Sequence, residues 1–285
     1  MTKTLSFSAF VMNTASHIVH GTWRQPEGEQ IDFNKVDLWI NLAKKLEEGG
    51  FDNIFSSKRG KEFAAKNAEA IFIQAPNPEV AKELIEEMVE LLEKYGRQPE
   101  DLKFYQGLTF VIGDTEEEAL EKNKKITEAT DLKMMIAHLG GAMGIDFGKW
   151  DLDTPLENIE TEGTRSILQW VQQGIPDRKA TLADFAAHSG KKTRIVGTAE
   201  QIADKLEEWL DNGVSGINVM NSFIPGSYIE FIDKVMPILR ERGLVEEHGD
   251  TPKTLRSRLF GSDKLNDRHP ATNYRHQFAK KQPIR

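Results

Sequence analysis

Ser56 and Ser57, followed by Lys58-Arg59, open a helical run from Ser57 to about Asn67, which leads into the short apolar stretch Ala70-Ile71-Phe72. The first turn of a helix leaves backbone N–H groups unpaired and carries the positive end of the helix dipole. Two hydroxyls and two cations at that point make a seat for a phosphate group. The same serines also serve as plain N-caps, which is the commoner use. The residues alone leave both readings open.

Other polar residues fall where strands end. Asn13 closes an apolar run over residues 5–13, and at the mouth of a parallel barrel such a position belongs to an active site. The competing reading is a turn residue. His17 and His20 follow in the loop, three residues apart. No third ligand lies at metal spacing, so no metal site is expected; the alternatives are a substrate contact, a proton-transfer group or an exposed loop histidine. Trp23 has the flat face to cover a planar ligand or to pack. Arg24 has the fork to hold a carboxylate or to form a surface ion pair. Asn218, Met220 and Asn221 end the last strand, and Asn221 is the candidate for a pocket-facing side chain. Gly140-Gly141-Ala142-Met143-Gly144 follows no strand of a βαβ unit, so it is not a dinucleotide fingerprint.

The elements that must position these residues alternate. Strand-like runs occupy 5–13, 51–55, 70–75, 102–112 and 214–220. Helical spacing covers 34–48, where Val36, Trp39, Ile40, Ala43 and Leu46 recur on one face before Gly49-Gly50. Asn77-Pro78 caps a helix that runs to Tyr95. Thr115 with Glu118, and Thr198 with Gln201, have capping-box spacing. A last helix spans 227–242. Residues 132–192 interrupt the alternation, with a helix ending near Gly140-Gly141 and short helices at 164–173 and 181–187. Strand alternating with helix implies a parallel sheet. The five strands counted are too few to close a (β/α)₈ barrel.

Several segments together resemble the bacterial luciferase superfamily of flavin-dependent monooxygenases, in its nitrilotriacetate monooxygenase component A type branch. They are Leu5 to Asn13, His17 through Trp23-Arg24-Gln25-Pro26, Ser56 to Phe72, Val196 to Ala203, Gly216 to Met220 and Lys253-Thr254-Leu255-Arg256. They occur in the family's order and cover most of the chain. One part is missing: Phe51-Asp52-Asn53-Ile54-Phe55 runs straight into Ser56, and the family's third, fourth and fifth barrel strands have no counterpart. The fold implied is α/β, a luciferase-like TIM barrel reduced to a partial, open barrel over residues 1–249. Within it, 1–55 form the first βαβ unit, 56–131 and 193–249 the C-terminal barrel part, and 132–192 a helical and loop insertion. The strands at 51–55 and 70–75 are expected to meet across the gap.

The resemblance implies a two-component monooxygenase. A separate NAD(P)H-dependent flavin reductase supplies reduced FMN, and one oxygen atom enters a small organic substrate. Ser56 and Ser57 match the serines that bind the flavin phosphate. Family contacts on the second-strand turn, the third strand and the segment after the fourth have no aligned position here. A second function class follows from that loss: an internally deleted, catalytically silent derivative that acts as a subunit or interaction protein.

Composition sets outer bounds. The chain has 285 residues, 39% hydrophobic and 29% charged, with no cysteine, which excludes disulfides and Cys-based metal sites. The apolar runs are far too short for a membrane span, and the start lacks a signal-peptide core, so the expected location is cytoplasmic. A net charge of −8 argues against a general nucleic-acid binder. Residues 250–285 form a basic tail; 251–285 carry +7, leaving −15 on residues 1–250. The tail's expected partner is an acidic surface of its own body or of a sister subunit, or else solvent. Open sheet edges predict self-association, and a homo-oligomer is expected.

Overall fold

The computed structural model describes residues 4–11, 20–26, 28–49, 51, 53–54, 61–159, 171–172, 175–189, 193–245 and 254–274. Six parallel strands form one sheet among them: β1 (Ser6–Phe10), β2 (Asn53–Ile54), β3 (Ala70–Ile73), β4 (Lys103–Gly113), β5 (Arg194–Thr198) and β6 (Gly216–Met220). The order is β2-β1-β6-β4-β3, with β5 on the C-terminal half of β4. The sheet curls into a half-barrel.

Two expectations are corrected here. β5 makes a sixth strand where the sequence suggested five. Its core is only Ile195-Val196 between Arg194 and Gly197-Thr198, too short for an alternation signal, and it forms because β4 extends past β3 and β6 to offer a free edge. The strands around 51–55 and 70–75 do not meet. β2 and β3 occupy opposite edges, because β1 pairs with β6 and β6 with β4 through long runs that fix the order.

Helices cover the outer face. α1 (Val36–Glu48) buries Leu38, Leu42 and Leu46, one residue per turn, and leaves Val36 and Ile40 exposed. α2 (Lys61–Asn67) leads into β3. α3 (Pro78–Lys94) starts as its sequence suggests, with Asn77 Oδ1 accepting from Val80 N at 2.9 Å and proline in the first turn. α4 (Glu116–Ala129) is capped by Thr115, but the Glu118 carboxylate accepts from Asp114 N, one residue before the box position.

α5 (Leu132–Met143) runs through the Gly140-Gly141 pair and stops at Gly144, whose φ of 71° suits glycine. Gly140 is tolerated mid-helix because a Cβ there would lie 2.6 Å from the Ile145 carbonyl oxygen, so only glycine permits that approach. α6 spans Leu182–Ser189, against the short helix expected at 181–187. The helix expected at 164–173 falls almost wholly outside the described residues. α7 (Ala199–Asp211) has the full capping box, Thr198 with Gln201.

The last helix divides into α8 (Gly226–Lys234) and α9 (Met236–Glu241). Pro237 lacks the N–H that would continue a single helix through Val235. Phe7, Ala9, Ile217, Val219, Leu108 and Phe110 join these helices in the main core. Residues between 132 and 186 build a second cluster around Met135, Phe147, Leu156 and Phe185. The tail folds back: α10 (Leu255–Phe260) places Arg256 on Glu69, which is an acidic group of the same chain.

Candidate functional site

Side chains alternate along a strand, so the residues between those core positions face the concave side. Ser8 of β1 and Asn218 of β6 are register partners, and Gly107 of β4 lies across from Asn218. Ser8 and Asn218 are fully buried. Neither the Asn218 amide nitrogen and oxygen nor the Ser8 hydroxyl finds a hydrogen-bond partner among the described residues. Such groups ordinarily have partners, because leaving one desolvated and unpaired costs about 1–3 kcal/mol. Gly107 lets the Phe72 ring close against this row: a Cβ there would sit 2.7 Å from the Phe72 ring and 3.4 Å from the Met220 sulfur. One layer below, Ser6 Oγ and the Tyr105 hydroxyl share a hydrogen bond of 2.7 Å.

At the C-terminal ends of the strands, where a barrel has its mouth, three segments meet: residues 20–35 after β1, the loop after β6 and the α4–α5 junction. Gln30, almost wholly buried, braces the first two. Its Nε2 donates to the Ser222 carbonyl at 3.3 Å and to Thr22 Oγ1 at 3.4 Å, and its Oε1 accepts from Ile224 N at 3.1 Å. The Glu29 amide adds a backbone bond to the Ile224 carbonyl, 2.8 Å. Asp131 N donates to the His20 carbonyl at 3.0 Å and ties the third segment in.

His20 and His138 meet at this junction with ring centroids 4.9 Å apart. Burial holds the His20 imidazole below its ordinary pKa of 6.5; repulsion from His138 adds to that, and Asp131 opposes it. The neutral ring is the favoured form there, able to accept a proton. Trp23 is half-buried, and the Arg24 guanidinium lies 5.7 Å from its ring centroid. Arg24 also reaches Asp131 at 3.6 Å, so its charge is engaged on the protein itself. At the end of β6 the Tyr228 hydroxyl lies 3.2 Å from Asn221 Oδ1 and 3.4 Å from the Val219 carbonyl. Burial pushes that phenol well above its ordinary pKa, which keeps it a donor.

Of the residues singled out from sequence, Trp23, Asn221 and His20 stand around this mouth. Asn13, His17, Ser56 and Ser57 lie outside the described residues. Sequence reading named Asn218 as a strand-end residue but chose Asn221 for the pocket, and it missed Ser8 and His138. The signal for the first pair was present: Ser6-x-Ser8 and Gly216-x-Asn218 set small or polar residues between apolar ones. Nothing local marks His138, which gains its role only by meeting His20.

A parallel half-barrel with polar groups at the C-terminal side of its strands is the arrangement of a barrel-type enzyme, which places its chemistry at that end. The family model for luciferase-like monooxygenases matches residues 55–216, and the chain belongs to that family. It is 34% identical to the dimethyl-sulfide monooxygenase of Hyphomicrobium sulfonivorans over 80% of this chain and 49% of that one. It is 30% identical to the long-chain alkane monooxygenase of Geobacillus thermodenitrificans, over 77% and 47%. It is also 30% identical to nitrilotriacetate monooxygenase component A of Aminobacter aminovorans, over 69% and 45%. The chain thus spans about half the length of the curated relatives it matches. Its fold superposes on the crystal structure of DmoA from Hyphomicrobium sulfonivorans with a TM-score of 0.86 at 21% identity, covering 99% of both chains.

Proposed function

We propose that this chain carries one side of the flavin site of a two-component monooxygenase. It receives reduced FMN from a separate NAD(P)H-dependent reductase and acts on a small organic substrate. The observation that carries this reading is the buried, unpartnered Ser8–Asn218 pair on the concave face, in a chain of the luciferase-like family. An amide offers a donor and an acceptor side by side, and with the Ser8 hydroxyl it suits the polar edge of a planar heterocycle. Ser56 and Ser57 are the residues for the phosphate end. Bound reduced FMN supplies the oxygen-activating chemistry. The protein's own groups hold and shield: Gln30 fixes the two loops of the mouth, Trp23 covers it, Asn221 lines it, and His20 accepts a proton there. A cytoplasmic setting and a homo-oligomer go with this reading.

A second reading is favoured by the topology. β2 and β3 lie at opposite ends of the strand order among the described residues, and the strands that the family resemblance implies between them in sequence have no counterpart here. In that reading the chain binds no flavin and serves as an interaction subunit. Anaerobic titration with reduced FMN, repeated with Ser56→Ala/Ser57→Ala, separates the two. Saturable binding lost in the double variant supports the flavin reading; absence of saturation in both redox states refutes it. Oxygen uptake with a reductase and dimethyl sulfide, a long-chain alkane or nitrilotriacetate then tests catalysis.

A further inference from the structure

At the opposite end of the sheet, beneath the starts of β1, β4 and β6, lies a cavity of about 1400 Å³. Leu5, Phe104 and Val214 form its apolar floor, Ile85 and Val89 of α3 one wall, and tail residues 256–269 its roof. Two ion pairs on separate elements fasten the roof. Arg256 grips the Glu69 carboxylate through both terminal nitrogens, just ahead of β3. Arg268 holds Asp101 through Nε and Nη2, each at 2.8 Å, just ahead of β4. His269 Nε2 lies 2.9 Å from the Asn67 carbonyl oxygen.

These pairs engage the nearby carboxylates. Glu100, too, stands 3.6 Å from Arg268. Lys103, the first residue of β4, has no carboxylate within ion-pair distance among the described residues, and its ammonium faces the Phe260 ring at 5.5 Å. Burial draws its pKa below the ordinary lysine value, while Glu100 and Asp101 oppose the shift. An ammonium withdrawn from water is costly without a counter-charge. Here it borders a cavity of mixed apolar and charged lining in which Glu69 and Asp101 are engaged by the tail arginines.

We infer that this cavity binds an amphipathic organic anion, with the anionic head on Lys103 and the apolar body against Leu5, Phe104, Val214 and Phe260. Lys264 on the tail is a further cation of a lining that also holds Arg97, Arg256, Arg258 and Arg268. The site is separate from the concave face at the other end of the strands.

Calorimetric titration of the full chain with decanoate and with decan-1-ol, in wild type and in Lys103→Met, tests this. Hydrogen exchange over 255–260 is the second readout. Decanoate is expected to bind saturably, about tenfold or more tighter than the alcohol, and to slow exchange in α10. Lys103→Met is expected to bring decanoate down to the alcohol's level with an unchanged melt. Lys103→Gln carries the same expectation and serves if the methionine variant does not fold. Equal affinity for acid and alcohol, an unchanged acid affinity in a folded Lys103 variant, or no saturable binding overturns the proposal.

Discussion

Asn218→Val is expected to stabilise the protein while weakening its hold on FMN. The Asn218 amide presents two polar atoms to a fully buried position, and both lack a partner among the described residues. Each such group costs about 1–3 kcal/mol when desolvated and unpaired. Valine replaces the amide with two methyl groups, keeps a similar bulk and has the β-branched shape that strands favour. The full relief of two groups is about 2–6 kcal/mol, and imperfect repacking against Ser8 and Gly107 takes back part of it, so a gain of about 2 kcal/mol is expected. For a chain of this size that raises Tm by about 4–8 °C in a calorimetric or circular-dichroism melt. The same change removes the donor–acceptor pair offered to the flavin ring, and reduced FMN is expected to bind about tenfold weaker or less. Asn218→Asp is the opposing control: it places an unpaired charge at the same point and should lower Tm sharply. A fall in Tm for Asn218→Val would show that the amide is satisfied within the folded protein and would refute the reasoning. Stabilisation with unchanged FMN affinity would separate the strain from the site.

Two further predictions concern positioning. Arg97 is buried and donates from Nη1 to the Ala65 carbonyl and from Nη2 to those of Ala68 and Asp101, each at 2.7 Å, so Arg97→Met strands three carbonyls. A loss of about 3 kcal/mol is expected by urea unfolding, with Arg97→Lys recovering only part because one ammonium cannot match the fork; a wild-type midpoint for the methionine variant contradicts this. His20 has a folded pKa held below 6.5, so the unfolded chain binds the proton first as pH falls. Its contribution is complete above pH 6.5 and is lost as pH drops through the lower folded value. Melts across pH 7.5 to 5 should therefore show a decline that flattens in His20→Gln; identical profiles remove His20 from the mouth's pH response.

Local rules account for what was legible in the sequence. Asn77-Pro78 and the Thr198–Gln201 box act within a turn or two of chain, and the structure forms those elements where the residues place them; α1 forms where expected but buries Leu38, Leu42 and Leu46 and leaves Val36, Ile40 and Ala43 of the expected face exposed. Family membership was legible for the same reason, since the Ser56 to Phe72 run and the other matched segments are contiguous. Order in the sheet is a different kind of quantity. It depends on which edges pair over long separations, so β5 appeared only once β4 offered its upper half, and β2 and β3 ended at opposite edges. Both centres proposed here arise the same way. Ser8 meets Asn218 by strand register, His20 meets His138 by loop docking, and Arg256 reaches Glu69 across 187 residues to close the lower cavity. Residue type fixed what each group can donate or accept; burial and neighbours, which only the tertiary structure assigns, decided which were left with chemistry still to do.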